Sequence, residues 1–158
     1  VVVDKMTSRR QAKAMVKVVQ EFIGKERKPF LVMDIDPKSE FRSLLGARFA
    51  AIAGYLNFAS KAGYFLKAKD GISYFDVDAI KEYVSQIPSE QPVVVFGFTY
   101  ILYSNVLKAV QSSGEKICLP KGSKIIHIGG WKNLKVKRLI SRCLINSFQN
   151  GLVWILPM

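Results

Sequence analysis

The chain has 158 residues, of which 49% are hydrophobic and 11% aromatic. This length and composition exclude a disordered chain and allow one domain with a substantial core. The sequence has no apolar run of the roughly 18 residues that span a membrane, its basic start is not a signal peptide, and we expect a cytoplasmic protein.

The formal net charge is +12, which is compatible with anionic partners. Lysine and arginine are spread along amphipathic segments, however, and no nucleic-acid motif accompanies them. We therefore expect no specific nucleic acid partner. Strong, salt-sensitive binding to DNA or RNA would indicate the alternative, a basic nucleic-acid-associated domain.

The first predicted elements are the end of a strand and a long helix. Residues 1–3 form a short run of valines, which is typical of a strand end. Thr7 or Ser8 can cap a helix that continues to Ile23, where Gly24 ends it.

A strand, a second helix and a hairpin follow. Residues 30–33 predict a short apolar strand, and the apolar spacing over residues 41–59 predicts a helix. Two further strands are predicted over residues 64–66 and 72–74, around a turn at Asp70-Gly71.

The second half of the chain alternates strands with helices. The predicted strands are residues 93–96, 117–119 and 124–128, and the predicted helices are residues 77–86 and 97–113. This alternation indicates an α/β fold with a mostly parallel sheet and crossover helices.

Four aspartates lie where turns or helices begin. Asp34 and Asp36 follow a predicted strand, where a ligand contact is conceivable, but turn formation before proline is the favoured interpretation. Asp76 and Asp78 are expected to cap the following helix and to interact with its dipole.

Cys118, in an apolar run, is expected to be a buried structural cysteine, and the two cysteines of the chain make neither a disulfide framework nor a metal site. His127 is the only histidine. It is either a structural side chain or a site residue placed just before two glycines.

Two strand ends are the candidate sites. The apolar run Lys124–Ile128 ends at Gly129 and Gly130, which allow a sharp turn or a close approach to a ligand. The run before Gly97 leads into aromatic residues that form either ordinary core or a pocket for an acyl or aromatic ligand. Ligands bind at the carboxyl ends of strands in open α/β sheets, although a plain turn remains the alternative at the two glycines.

The sequence Phe96-Gly-Phe-Thr-Tyr100, followed by Ile126-His-Ile-Gly-Gly-Trp-Lys132, resembles the acyl-protein synthetases. This family includes the synthetase subunit of the bacterial luminescence fatty-acid reductase complex and is similar to the wider adenylate-forming superfamily. The resemblance covers residues 1–132, which it identifies as part of the large N-terminal domain of an adenylate-forming enzyme.

The resemblance implies a long-chain-fatty-acid–protein ligase. ATP and a fatty acid form an acyl-adenylate, and the acyl group then moves to a protein thiol. The implied cofactors are ATP and Mg²⁺, and the implied partners are the fatty acid and an acyl reductase or another acyl-acceptor protein.

The resemblance also assigns residues to two subsites, while no catalytic residue and no metal ligand is assigned. The residues implied for the nucleotide are His127, Ile128, Gly129, Gly130 and Trp131. The residues implied for the acyl pocket are Gly97, Phe98, Thr99 and Tyr100. Thr99 is additionally expected to accept a hydrogen bond from the start of the next helix.

The chain departs from the family pattern in what it lacks. The phosphate loop, the downstream metal- and ribose-binding residues, the small C-terminal domain and the acyl-accepting cysteine are not found. Neither Cys118 nor Cys143 inherits the role of that cysteine. We therefore expect an incomplete fragment that does not complete adenylation, with a non-catalytic acyl- or nucleotide-binding module as the alternative.

Residues 133–158 form an atypical basic and apolar tail without acidic residues. A reading frame shifted by one base would give a polar segment that begins like a capped helix. We interpret the tail as a frameshift or an assembly fragment, with a genuine divergent tail as the alternative. The nucleotide sequence decides, because an early stop in the shifted frame would contradict the frameshift.

Overall fold

The computed structural model describes residues 4–38, 46–69, 72–107 and 117–129. Its helices are α1 (Lys5–Ile23), α2 (Gly46–Leu56), α3 (Val77–Ser85) and α4 (Thr99–Ile101), the last continuing as a π-helical segment (Leu102–Leu107). Its strands are β1 (Lys28–Val32), β2 (Ala59–Tyr64), β3 (Leu66–Lys69), β4 (Ile72–Phe75), β5 (Val94–Phe98) and β6 (Lys124–Ile128). The predicted strand at residues 1–3, the Asp70-Gly71 turn and the tail lie outside the described residues.

Four strands form one parallel sheet in the order β2-β1-β5-β6. β3 and β4 pair separately as an antiparallel hairpin. Helices cover the sheet, and the predicted α/β class with a mostly parallel sheet is therefore confirmed.

Alternate residues of each central strand face opposite layers of core. Phe30 and Phe96 pack towards α1 and α2, whereas Leu31 and Val95 pack towards α3, the hairpin and α4. Because both faces are covered, the buried part of β1 after Lys28 and all of β5 read as unbroken apolar runs.

Two helix boundaries in the first half of the chain differ from the prediction. α1 begins at Lys5, and its cap is Asp4 instead of Thr7 or Ser8, because Asp4 accepts hydrogen bonds from the amides of Met6 (2.7 Å) and Thr7 (2.9 Å). The second helix ends at Leu56, so the predicted extension to residue 59 was wrong. The strand β2, whose sequence Ala-Ser-Lys-Ala-Gly-Tyr lacks the usual β-branched residues, begins at that position.

The predicted strand at residues 64–66 is not one strand. Tyr64 is the last residue of β2, and Leu66 is the first residue of β3 in the hairpin. The predicted helix at residues 77–86 is confirmed to within one residue, and Asp76 caps it by accepting from the Ala79 amide at 3.0 Å. The predicted strand over Lys124–Ile128 is confirmed at both ends.

Two predictions near the end of the described chain were wrong. Residues 117–119 are not a strand. Gly97 and Phe98 complete β5 instead of opening a helix, because they continue the parallel pairing with β6. The helical turn starts at Thr99 and becomes π-helical at Leu102.

The connections that follow the neighbouring strands β1 and β5 lie on opposite faces of the sheet. After β1 the chain passes to α2 on one face, and after β5 it passes to α4 on the other. Such a reversal opens a crevice at the carboxyl ends of the two strands, which is where ligands bind in open α/β sheets. The crevice between β1 and β5 is called the switch-point crevice below.

Candidate functional site

The two sequence segments that form the candidate site lie side by side at the carboxyl edge of the sheet. In the parallel register of β5 and β6, Gly97 is opposite His127, and Phe98 is opposite Ile128. Gly130 and Trp131 lie outside the described residues. The fold thus brings the predicted acyl segment and the first part of the predicted nucleotide segment together.

Thr99 links these two segments. Its buried hydroxyl Oγ1 lies 2.8 Å from Nδ1 of His127, 3.2 Å from the Ile128 carbonyl oxygen and 3.0 Å from the Gly129 carbonyl oxygen. A hydroxyl has one proton, so donation to a carbonyl leaves its oxygen to accept from Nδ1–H of the imidazole. The predicted role of Thr99 at the helix start was wrong, because no side chain caps α4.

His127 is held as a neutral side chain. Burial lowers the pKa of its imidazole below the ordinary value of 6.5. At neutral pH the ring is therefore uncharged, and it can donate one hydrogen bond and accept another at the edge of the sheet.

The two glycines of the site serve different purposes. Gly129 is exposed and has φ +89°, a conformation that favours glycine, as expected of the turn after β6. Gly97 is buried, and a Cβ there would lie 3.0 Å from Cγ of Leu102 and 3.1 Å from Cβ of Met33. Close packing therefore explains Gly97.

The aromatic residues after Gly97 differ in their exposure. Phe98 is half-buried, and its ring lies edge-on to Phe96 with centroids 6.4 Å apart. Tyr100 is 56% exposed. Phe98 also lies beside Gly129, because a Cβ on that glycine would be 3.7 Å from its ring. Phe98 therefore borders both predicted subsites.

An ion pair that no sequence motif indicates lies at the switch-point crevice. Asp34 is fully buried and accepts hydrogen bonds from the Ile35 amide at 2.7 Å and from Nε of Arg48 at 3.1 Å. Nη2 of Arg48 completes the pair. Turn formation is confirmed for Asp36, which accepts from the Lys38 amide at 2.8 Å, whereas the contact of Asp34 with Arg48 was not predicted.

Arg48 connects the ion pair with the aromatic residues of β5. Its guanidinium lies 5.7 Å from the centroid of the Phe98 ring. On the other side of β1, burial raises the pKa of Tyr64, and the charges of Asp36 and Asp34 raise it further. Side chains from α2, β2, β5 and the segment that follows β1 thus converge at the crevice.

The prediction of a buried Cys118 was wrong. Its side chain is exposed, although the preceding Ile117 is buried. The apolar run indicated burial of the whole segment, but this segment is not regular structure, and neighbouring side chains face different ways. Cys143 lies outside the described residues.

Metal-ligating side chains do not cluster in the part of the chain that the structure describes. Residues 4–38, 46–69, 72–107 and 117–129 contain no cluster of three or more histidine, cysteine or acidic side chains that could hold a metal ion. Magnesium bound to nucleotide phosphates needs only one or two carboxylates, and the buried carboxylate of Asp34 is engaged by Arg48. Over the same residues, no helix is long and apolar enough to cross a membrane.

The fold is that of an open α/β protein, and its candidate site lies at the switch point of a parallel sheet. The model of the LuxE family, described as acyl-protein synthetase, matches residues 1–150. The chain therefore belongs to the LuxE acyl-protein synthetase family. The matched range continues beyond residue 132, and the frameshift interpretation of the tail stays a prediction. No curated protein and no solved structure matches the chain.

Proposed function

We propose that this chain contributes to the ATP-dependent activation of a long-chain fatty acid and the transfer of its acyl group to a protein thiol. The family match over residues 1–150 carries this proposal. The meeting of the two predicted subsites at one edge of the sheet, through Thr99 and His127, supports it.

The proposed reaction has two steps. In the first, a carboxylate oxygen of the fatty acid attacks the α-phosphorus of ATP, which forms acyl-adenylate and releases pyrophosphate. In the second, a cysteine sulfur attacks the acyl carbon, which forms a thioester and releases AMP and the thiol proton. Adenylation is needed because an unactivated carboxylate has a poor leaving group.

The residues at the edge of the sheet have proposed roles in binding. The backbone at Gly129 offers a surface without a Cβ for the nucleotide, beside His127 and Ile128. The acyl chain lies against Phe98 and Tyr100. Gly97 and Thr99 keep β5 and β6 in the geometry that forms both subsites. The proposed recipient of the acyl group is an acyl reductase or another acyl-acceptor protein.

Pyrophosphate release tests the proposal. ATP and dodecanoate are added to this chain and, in parallel, to the product of the same gene expressed with its flanking coding sequence. We expect both proteins to bind the two substrates and the longer product to release pyrophosphate only when both are present. Acylation of an added thiol protein, detected by mass spectrometry, tests the second step.

Three outcomes would contradict the proposal. Binding without pyrophosphate release in either protein would indicate a non-catalytic acyl- or nucleotide-binding module. Absence of binding to either substrate would exclude the module as well. Binding to DNA or RNA that weakens steeply with salt would favour the nucleic-acid-associated alternative.

A further inference from the structure

We propose that Arg48 binds the carboxylate of the fatty acid and so makes the switch-point crevice specific for an acid head group. This inference rests on the proposed function for its substrate class. Its starting point is the ion pair with Asp34, which neither sequence motif includes.

Within the described residues, the ion pair leaves three of the five N–H groups of the Arg48 guanidinium without an acceptor. A guanidinium has five N–H groups arranged around a rigid plane. Asp34 takes one from Nε and one from Nη2, so the two on Nη1 and the second on Nη2 face away from it. Among the described residues, Arg48 donates to no acceptor other than Asp34. The remaining N–H groups form a second fork of the kind that binds a carboxylate through two parallel hydrogen bonds.

The two partners differ in exposure. The side chain of Asp34 is 1% exposed, whereas that of Arg48 is 30% exposed. The buried carboxylate of Asp34 therefore fixes the plane of the Arg48 guanidinium. The exposed part of Arg48 is thereby held ready for a second partner, which reduces the entropy lost on binding.

The charge balance of the ion pair favours a singly charged ligand. The negative charge of Asp34 offsets the positive charge of Arg48, so the pair has no net positive charge to attract a polyanion. A single fork matches the two oxygens of one carboxylate. The second fork therefore fits the fatty acid better than ATP.

An apolar surface lies next to the second fork. The guanidinium is 5.7 Å from the centroid of Phe98, which is half-buried and belongs to the predicted acyl pocket. A carboxylate bound at Arg48 would place its first methylene groups near this ring. Polar recognition at one end and apolar contact behind it are the usual composition of a small-molecule site.

A comparison of two ligands that differ only in the head group tests the inference. Binding of dodecanoate and of 1-dodecanol is measured by calorimetry, below micelle concentrations, for the wild-type chain and for Arg48→Gln. We expect Arg48→Gln to weaken dodecanoate by about tenfold or more, the typical effect of losing a charge-assisted bidentate contact. Binding of 1-dodecanol should change by less than about twofold, because it makes no such contact.

Arg10→Gln is the matched control for charge. It removes the same charge from an exposed position on α1, where the Arg10 side chain bonds the sulfur of Met6. We expect it to leave the preference for the acid unchanged. Arg48→Lys keeps the charge but loses the fork, so it should retain only part of the preference.

A folding control is needed because Arg48→Gln leaves the buried carboxylate of Asp34 unpaired, which is strongly destabilising. The double variant Asp34→Asn/Arg48→Gln removes both charges and keeps groups that can hydrogen bond to each other. We expect it to fold more stably than Arg48→Gln alone and still to lack the preference for dodecanoate over 1-dodecanol.

Several results would overturn the inference. Equal weakening of the acid and the alcohol would show that the ion pair only supports the fold. The inference would also be overturned if Arg48→Gln left dodecanoate binding unchanged or weakened only the binding of ATP. A wild-type chain that does not prefer dodecanoate to 1-dodecanol would overturn it as well. An Arg48-dependent preference in a protein that never releases pyrophosphate would instead contradict the proposed function and leave this inference standing.

Discussion

Single residues at the carboxyl edge of the sheet combine burial with polar chemistry. The hydroxyl of Thr99 lies within hydrogen-bond distance of His127 and of two backbone carbonyls, and Asp34 is buried beneath Arg48. Each arrangement ties two elements together through a side chain that has lost its water. Replacing one partner therefore leaves the other buried without its hydrogen bond, which lowers the free energy of unfolding.

The pH dependence of stability should report the burial of His127. Its folded-state pKa is below 6.5. As the pH falls through the unfolded-state value, the unfolded chain gains a proton that the folded chain does not, so the free energy of unfolding decreases. The contribution of His127 is fully present above that value and is lost as the pH falls towards the folded-state pKa.

Urea unfolding at about pH 7.5 and about pH 5.5 measures this effect in the wild-type chain and in His127→Gln. We expect the wild-type chain to lose more stability on acidification than the variant. The carboxylates titrate in both proteins and cancel in the comparison. Equal losses in the two proteins would show that burial of His127 does not depress its pKa.

Tyr83 offers a test of an unsatisfied polar atom. Its hydroxyl is buried with no hydrogen-bond partner among the described residues, and burial raises its pKa to about 12. Tyr83→Phe should leave the free energy of unfolding unchanged or raise it by up to about 1 kcal/mol, since no hydrogen bond is lost. Tyr74→Phe, at an exposed position, is the control. A loss above about 1 kcal/mol in Tyr83→Phe would reveal a partner for the hydroxyl.

At the scale of the element, close packing and register position the site. β5 runs between β1 and β6, and its Gly97 allows the start of the π-helical segment to pack directly onto the strand. The same register sets His127 opposite this glycine. The site therefore depends on the contact between strand and helix as much as on the residues that face a ligand.

Two alanine substitutions separate packing from helix propensity. Gly97→Ala should lower the free energy of unfolding by about 1–3 kcal/mol, because its Cβ would crowd Leu102 and Met33. Gly54→Ala in α2 should raise it by about 0.5–1 kcal/mol, since alanine favours the helix and its Cβ would make ordinary contact with Met15 at 3.7 Å. Urea unfolding measures both. A stable Gly97→Ala would show that the strand and the π-helical segment separate easily.

At the scale of the whole molecule, the sheet has two outer strands. Within the described residues, β2 and β6 each pair on one side only. β2 carries the exposed Lys61 in its interior, a charge of the kind that discourages pairing between edges, whereas the lysine of β6, Lys124, lies at the first position of the strand. The net charge of +12 adds long-range repulsion between molecules.

We therefore expect reversible self-association that increases with salt, because salt screens the repulsion and leaves the open edge of β6 available. Sedimentation velocity over about a tenfold range of concentration, at about 0.05 M and about 0.5 M salt, measures it. Association that decreases with salt would indicate ionic contacts instead. A monomer at every concentration and salt level would show that the edge of β6 is protected.

Local sequence signals predicted a large part of the fold. β6 and α3 lie where expected, because an unbroken β-branched run and an aspartate cap are complete within a few residues. β2 escaped prediction, since its alanine, serine and glycine favour no strand and form one only by pairing with β1. For the candidate site, the neighbourhood of Gly97 and His127 followed from the α/β pattern, but the hydrogen bonds of Thr99 did not.

The sequence by itself determined the fold class, the family and the two strand ends where the candidate site lies, because these depend on periodicity and on short motifs. Only the tertiary structure decided that Asp34 is buried beneath Arg48, that Thr99 joins β5 to β6, and that Gly97 serves packing. The physical reason is that burial and pairing are properties of surroundings. The residues that form those surroundings are distant in the sequence and become neighbours only when β1, β5 and β6 align.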